Sequence, residues 1–402
     1  MSQPDELEAF RARAREWLLA NVPARPSFKL PQTFLEVEAR EQLEWLRDWQ
    51  RRLYDAGYLG FDVPEEYGGR GVDRERRRVV TEELVRARAP FLVNFIGLEW
   101  AGPTILTFGT EAQKRRMLPP LLRGDELWCQ GFSEPAAGSD LASLQTRAVR
   151  QADGTYRVTG HKVWTTVAHF ASWMILLART DPAANKYAGI SYFLFPMDAT
   201  GVTVEPLLKM TGEGGFNQVL FDDAPSPADS LLGEEGQGWT IAMTTLTFER
   251  GAAETHARER AAALLAQLGR VVELARERER EGAPALADPV LADRIAQLWI
   301  ECAAIGLSMA RTRAPALNAE RPFALPLMNK LVSSEWNQRL AELATELLGA
   351  DAALWLDDPR APHGGDWTRG YMNSFGMTIG GGTSEILRNV IGERVLGLPK
   401  GK

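Results

Sequence analysis

The spacing of apolar residues changes period twice along this chain, and that constrains the fold more than any single motif. Up to about residue 127 apolar side chains recur at helical intervals. From 128 to about 223 they gather in short β-branched and aromatic runs parted by Gly, Asp and Pro, and beyond 233 the helical interval returns. Periods of 3.6 and 2 belong to different elements. Helices, then strands, then helices imply an α+β chain with a β domain set between helical parts. The expected division is 1–127 (helical), 128–232 (β) and 233–402 (helical).

Within the first part, Leu7, Phe10, Trp17 and Leu18 share one helix face, with Asp5 as the expected N-cap and Pro23 as a stop. Further helices are expected over 34–56 (ended by Gly57), 74–88, 91–108 and 111–122, the last interrupted by Pro119 and Pro120. The run PEEYGGRG at 64–71 reads as a loop between helices. Strands are expected at 145–151, 155–159, 172–179, 190–196, 202–206 and 218–222, with Ala152-Asp153-Gly154 as a hairpin turn. Short strands at this spacing suggest an antiparallel barrel or sandwich. The last part is expected to hold helices at about 239–281, 290–314, 326–348 and 383–395.

Composition excludes several classes. With 402 residues, 45% hydrophobic and 25% charged, the chain can bury a large core over two or three domains. A net charge of −7 argues against nucleic-acid binding, and the arginines at 74–78 and 276–280 are interleaved with Glu as solvated helix faces. Cys129 and Cys302 have no metal or redox spacing, which fits a reducing compartment, and the four scattered histidines predict no metal site. The apolar stretch 90–108 contains Asn94, Glu99 and Pro103, so it reads as a core helix and not a membrane span. The acidic start has no signal-peptide pattern, and a cytoplasmic protein without membrane attachment is expected.

Chemistry concentrates in four segments. In FSEPAAGSD at 132–140, small residues let backbone approach a ligand, and Ser133 and Ser139 offer hydroxyl and N–H groups; alone, such a loop would mean only a turn. In GHKVWTT at 160–166, Trp164 stands beside the hydroxyls of Thr165 and Thr166, an aromatic face with a polar edge that suits a flat heteroaromatic ring; alone, the Trp would read as core. GGGTSE at 380–385 puts a glycine run before a helix N-terminus, where free N–H groups can meet a phosphate or carbonyl oxygen. Thr247-Phe248-Glu249-Arg250 follows an uncharged run, 239–246. Its simplest reading is a structural ion pair, because a buried carboxylate needs a partner. Beside the other three segments, Glu249 becomes a candidate base. There is no GxGxxG after a strand, so a Rossmann dinucleotide site is not expected.

These motifs, with PEEYGG at 64–69, LFDD at 220–223, LLGEEGQGW at 231–239 and GGGTSEILRNVIGERVLGLP at 380–399, resemble the acyl-CoA dehydrogenase family in the family's own order along nearly the whole chain. The resemblance implies an N-terminal helical domain, a middle antiparallel β-barrel and a C-terminal four-helix bundle, with non-covalent FAD and subunits completing one another's FAD sites. It implies FAD contacts at Gln130, Phe132, Ser133, Gly138, Ser139, Trp164, Thr165, Thr166, Thr383 and Glu385, and neighbouring-subunit contacts over 346–350, including Glu346 and Gly349. An arginine for the FAD pyrophosphate is expected at Arg278 or Arg280, although the aromatic-Gly pair usual beside it is absent. Acyl-CoA contacts fall on Ser139, Thr247 and Arg250. Many members carry the catalytic glutamate where this chain has Gly381; a smaller group, similar to the isovaleryl and long-chain enzymes, carries it before an arginine on the earlier helix, where Glu249 stands.

The reaction implied is α,β-desaturation of an acyl-CoA thioester to a trans-2-enoyl-CoA. Glu249, its pKa raised by burial beneath the acyl chain, would take the α-proton. The N–H of Gly381 would polarise the thioester carbonyl, FAD would take the β-hydride, and an electron-transfer flavoprotein would take the electrons. A homotetramer is expected, or a heterotetramer with a related subunit. Two further readings remain open: a non-catalytic subunit of such a heterotetramer, and a flavin oxidase or monooxygenase on the same scaffold. The GGGTSEI…LGLP tail also resembles enzymes of bacterial steroid, branched-chain and dicarboxylate breakdown.

Overall fold

A computed structural model describes residues 3–31, 33–255, 257–312, 314, 316, 324–356 and 358–400, without the side chains of 3, 4, 250–255 and 257–260. It divides into two compact units, 1–249 and 250–402.

The first unit opens with helices α1 (Gln3–Asn21), α2 (Arg40–Asp55), α3 (Arg74–Arg86), α4 (Gly102–Phe108) and α5 (Glu111–Arg123). Asp5 lies inside the first turn of α1 and is not its cap. The expected helix at 34–56 begins later: Thr33 caps only a short 3-10 turn, Phe34–Glu36, before α2 starts at Arg40. The expected helix at 91–108 is a turn followed by a π-helical stretch, Gly97–Ala101, and α4. Thr110 and Gln113 form a reciprocal capping box on α5, which runs through Pro119 and Pro120 without the expected interruption. Pro119 is held because it packs on the 64–71 loop, where Gly68 has φ +84° and a Cβ would meet Pro119 at 3.1 Å.

The β domain contains β1 (Trp128–Gly131), β2 (Arg147–Arg150), β3 (Tyr156–Thr166), β4 (Trp173–Arg179), β5 (Ile190–Pro196), β6 (Val202–Leu207), β7 (Phe216–Ser226) and β8 (Leu231–Leu232). The hydrogen-bonded order is β6-β7-β3-β2-β4-β5-β8, with β1 also on β4. The hairpin at 152–154 forms as expected, with Gly154 at φ +87°. The sheet is not wholly antiparallel, because β1 and β2 both pair with β4 in parallel. β1 enters the sheet directly from the helical part, without the hairpin that would reverse it. Strands β4 and β5 are buried almost throughout, so their apolar runs are continuous and not alternating. Helix α6 (Gly238–Thr255) follows, and its Ile241 and Ala242 join the same core as Trp128, Phe132 and Tyr192.

In the second unit α7 (Ala257–Glu277), α8 (Pro289–Arg311), α9 (Ala324–Leu348) and α10 (Asp366–Ile379) pack around Leu274, Leu298, Trp336 and Trp367, and α11 (Ser384–Val390) follows. Helix α10 has no counterpart in the sequence reading, because Gly370 and Gly376 interrupt its apolar pattern. The arginine-rich end of α7 turns into a two-stranded ribbon, β9 (Glu279–Arg280) and β10 (Ala283–Pro284), where helix was expected to 281. Among the described residues no helix is long and apolar enough to cross a membrane.

Candidate active site

Two of the predicted segments meet in the first unit. Strand β3 shifts register against β7 between Lys162 and Thr165, so the bulge re-aims the side chain at 164. Trp164 sits there at φ +59° and Val167 follows at φ +51°, left-handed values unusual for large or β-branched residues. The Trp164 ring is turned outward, 59% exposed, and packs edge-on to Phe216 at 6.0 Å. It is not the core residue that composition alone would suggest. Strain of this kind persists where the surroundings over-determine it. Here the Val163 N–H donates to the Ser133 carbonyl at 3.0 Å, Asn217 donates to the Thr165 carbonyl at 3.1 Å, and the Val167 N–H to the Gly215 carbonyl at 3.0 Å.

The loop after β1 is fastened from inside. Glu134 accepts from the backbone N–H of Gln145 at 2.6 Å and of Thr146 at 2.9 Å, and from Lys162 Nζ at 2.8 Å; Lys162 also donates to the Phe132 carbonyl at 3.1 Å. Lys162 is completely buried, and burial pushes its pKa down to about 8 although the carboxylate opposes the shift. Burial by itself would raise the Glu134 carboxyl; the Lys162 charge and the hydrogen bonds outweigh it and hold the carboxyl below its usual range. The sequence reading assigned this pair no role. Its signal was the strand period: Tyr156, Val158 and Lys162 all face inward, and an inward Lys requires a partner.

Around this frame the predicted residues divide. Phe132 is buried edge-on against Tyr192, and Gly138 and Ser139 are exposed. Gln130 Nε2 and Thr165 Oγ1 are buried with no hydrogen-bond partner among the described residues, and Thr166, next to Thr165 in sequence, is buried too. Buried polar groups left open in this way call for a ligand or water. The segment therefore fits a flat ring with polar edges, as FAD carries.

Glu249 and Thr247 lie on α6. Glu249 is half-buried, less enclosed in the chain by itself than expected, and Thr247 is exposed, its hydroxyl donating to the Met243 carbonyl at 2.9 Å. One turn earlier, Thr245 joins a buried hydroxyl cluster with Thr104 at 3.0 Å and Tyr192 at 3.1 Å, fixing the helix that carries Glu249. The side chain of Arg250 lies outside the described residues.

In the second unit Gly381 and Gly382 take φ values of +68° and +96°, bending the chain into α11. Thr383 caps that helix, its hydroxyl accepting from the Ile386 N–H at 3.2 Å. Lys330 of α9 donates to the Gly382 carbonyl at 2.6 Å. Glu385 is exposed in the first turn, and its own backbone N–H and the Thr383 hydroxyl hold its carboxyl below the usual range. Arg278 pairs with Asp351 at 2.7 Å, beside the turn opened by Gly349, whereas Arg280 pairs with Asp288 at 3.4 Å on the ribbon. Glu346 pairs with Arg294 at 2.6 Å. The described residues hold no cluster of metal-ligating side chains.

Helical, β and helical parts with this loop, bulge and glycine turn define a three-domain dehydrogenase fold. Family models match in the same order: acyl-CoA dehydrogenase N-terminal domain over 4–125, middle domain over 129–224 and C-terminal domain over 236–396. The chain belongs to the acyl-CoA dehydrogenase family, and it is an oxidoreductase acting on acyl-CoA. It is 40% identical over 401 residues to acyl-CoA dehydrogenase IpdE1 of Mycobacterium tuberculosis, covering 98% of each chain. Among solved structures it resembles the Tcur3481-Tcur3483 steroid ACAD, with a TM-score of 0.80 and 29% identity over 100% of this chain and 99% of that one. The ChsE4-ChsE5 complex from Mycobacterium tuberculosis matches at a TM-score of 0.77 and 30% identity, covering 100% of both chains.

Proposed function

We propose that the chain is an FAD-dependent acyl-CoA dehydrogenase that converts an acyl-CoA thioester to its trans-2-enoyl-CoA and passes the electrons to an electron-transfer flavoprotein. The observation carrying this reading is the strained, outward Trp164 beside the open Gln130 and Thr165 groups, locked to the 132–139 loop. Gln130, Phe132, Ser133, Gly138, Ser139 and 164–166 would hold the flavin part of FAD, with Thr383, Glu385 and either Arg278 or Arg280 toward the rest. Arg278 is the better arginine: it lies beside the 349–353 turn, where the neighbouring subunit is proposed to reach Glu346 and Gly349.

Bound FAD supplies the acceptor for the β-hydride. The Glu249 carboxylate takes the α-proton, and enclosure by the acyl chain raises its proton affinity toward working pH. The Gly381 N–H donates to the thioester carbonyl as negative charge develops, worth about 3–4 kcal/mol for such a donor in a dry site. Ser139, Thr247 and Arg250 contact the acyl-CoA.

The working form is proposed to be a tetramer, of one chain or with a related subunit. Leu265 on α7 and Trp299 and Leu307 on α8 are more than half exposed, at 53%, 56% and 71%, and flank a cleft of about 280 Å³ lined by Ala261, Cys302 and Gly306. Apolar surface gathered at helical spacing is typical of a subunit interface. The solved relatives named above, one a complex and one a paired steroid ACAD, favour a heteromer and a steroid-derived acyl group. The proposed functional parts remain 1–127, 128–232 and 233–402, in a cytoplasmic protein.

Anaerobic titration with a panel of acyl-CoAs tests the reading. Oxidised-flavin absorbance is expected to bleach, most completely with steroid-derived acyl-CoA thioesters. Protein that cannot be reconstituted with FAD, alone or with a co-expressed partner, overturns it. Peroxide release without an acceptor would identify an oxidase instead.

A further inference from the structure

Lys162 and Glu134 belong to neither the proposed proton path nor the hydride path, yet they form a deeply enclosed ion pair in the first unit. Lys162 is 0% and Glu134 7% exposed at the side chain, with 2.8 Å between them. Removing two charges from water is costly, and an apolar pair of the same shape usually serves stability as well or better. Their retention therefore asks for a geometric purpose, and the contacts supply one. Glu134 stands in the loop and Lys162 in β3, two residues before the strained Trp164. Three bonds cross from loop to strand: Lys162 to Glu134 at 2.8 Å, Lys162 to the Phe132 carbonyl at 3.1 Å, and the Val163 N–H to the Ser133 carbonyl at 3.0 Å. Glu134 further ties the start of β2 through the Gln145 and Thr146 amides at 2.6 and 2.9 Å.

We infer that the Glu134–Lys162 pair is a positioning clamp that makes the 132–139 loop and the 162–166 strand one rigid body, so that both sides of the ring site keep their spacing when the cofactor enters. The carboxylate is needed because it accepts from two backbone amides and an ammonium at once; an amide has one acceptor oxygen. The ammonium is needed because it reaches a carboxylate and a carbonyl together. The inference rests on the proposal that these two segments hold FAD, and it adds residues whose polar contacts are made within the protein.

The test uses full-length protein, with a related subunit co-expressed if FAD uptake requires it. Glu134→Gln with Lys162→Met removes both charges while keeping shape, so no unpaired charge is buried. Thermal unfolding, FAD Kd and the fine structure of the bound-flavin absorbance are compared with wild type. The clamp predicts a folded protein that melts modestly lower, because one backbone amide and the Phe132 carbonyl lose their partners, together with a Kd raised at least tenfold and loss of resolved vibronic shoulders. Unchanged Kd and spectrum in a folded double variant overturn the clamp alone. If the wild type takes up no FAD under either condition, the site reading fails and the clamp falls with it. Hydrogen exchange of the wild type keeps the question answerable should the double variant not fold. FAD is expected to slow exchange across 132–146 and 162–166 together; slowing that spares Gln145 and Thr146 overturns the clamp.

Discussion

The two regions assigned to the cofactor and substrate are built in opposite ways. The loop and bulge around Trp164 are secured by their own chain: a buried ion pair, two further loop-to-strand bonds and a register shift fix a strained residue in place. The glycine turn at 380–382 has a lysine on one carbonyl and a one-residue helix cap, and its unit carries exposed Trp299 and Leu307. The first is finished within one unit. The second lies in a unit with exposed apolar side chains, and it is the one proposed to be completed by another subunit. Strain can be stored where the scaffold is closed, and assembly can regulate where it is open.

The sharpest way to break this comparison is at the base. Glu249→Gln is expected to retain FAD and bind acyl-CoA yet lose about a thousandfold in flavin reduction rate, since general-base catalysis contributes on the order of 10²–10⁴. Stopped-flow reduction under anaerobic conditions reads this directly, and turnover within tenfold of wild type would remove Glu249 from the role. Glu249→Gly with Gly381→Glu is expected to recover part of the rate. The recovery is incomplete because a side chain at φ +68° costs about 1–2 kcal/mol.

Next in size is the open face. Trp299→Glu with Leu307→Glu places two carboxylates on the exposed apolar stripe. The expected outcome is a smaller species by light scattering and loss of most bound FAD at micromolar protein, because ligand and assembly stabilise the same state. An unchanged assembly with full flavin content would show that this face is not an interface.

The helices that pack by amphipathic period were legible in sequence, as were the central strands β4 and β5, where apolar runs are long. Less legible were features set by tertiary contact. Pro119 stays helical because Gly68 makes room for it, and α10 forms although glycines blur its pattern. In the site, composition could mark Trp164 as aromatic but not as outward; the bulge that turns it arises from pairing with β7, which no local signal specifies. Lys162 was visible as a residue, but its partner lies 28 positions away in a loop. The proposal of Glu249 as base drew on the neighbouring segments and on family resemblance, since a Glu-Arg pair on a helix is ordinary.

A middle-sized effect is expected at Lys330. Lys330→Met removes the charged donor from the Gly382 carbonyl and frees the turn that aims the Gly381 N–H. A hydrogen bond from a charged group is worth about 1.5–3 kcal/mol, so kcat is expected to fall roughly tenfold or more with KM little changed. Equal loss in kcat and FAD content would instead point to general loosening of the turn.

The buried pair sharpens the comparison through pH. Lys162 has its pKa lowered to about 8 by burial, whereas the unfolded chain keeps it near the ordinary lysine value of 10.5. Between these values the unfolded state binds more protons, so this group makes stability rise with pH across the window. The charged group facing its Nζ is Glu134. Denaturant unfolding of wild type and Lys162→Met from pH 7 to about 10.5 is expected to differ in slope in that direction, with the two curves parallel below pH about 8. Parallel curves throughout would mean that Lys162 titrates as an exposed lysine does.

The smallest effect is expected at Glu385, which distinguishes a helix-end charge from a catalytic group. It is exposed, lies in the first turn of α11, and its carboxyl is held low first by its own backbone N–H and then by the Thr383 hydroxyl. Negative charge there complements the free N–H groups of the helix start. A group with a lowered folded pKa contributes stability above its unfolded value, near 4.3 for a glutamate, and loses it as pH falls through the folded value. Glu385→Gln is therefore expected to melt slightly below wild type at pH 7, with the difference closing in acid, and to keep its flavin reduction rate within about twofold. A modest rise in FAD Kd is compatible with its place after the glycine turn. A reduction rate as low as that of Glu249→Gln would move the base to the second unit and reverse the assignment of roles between the two regions.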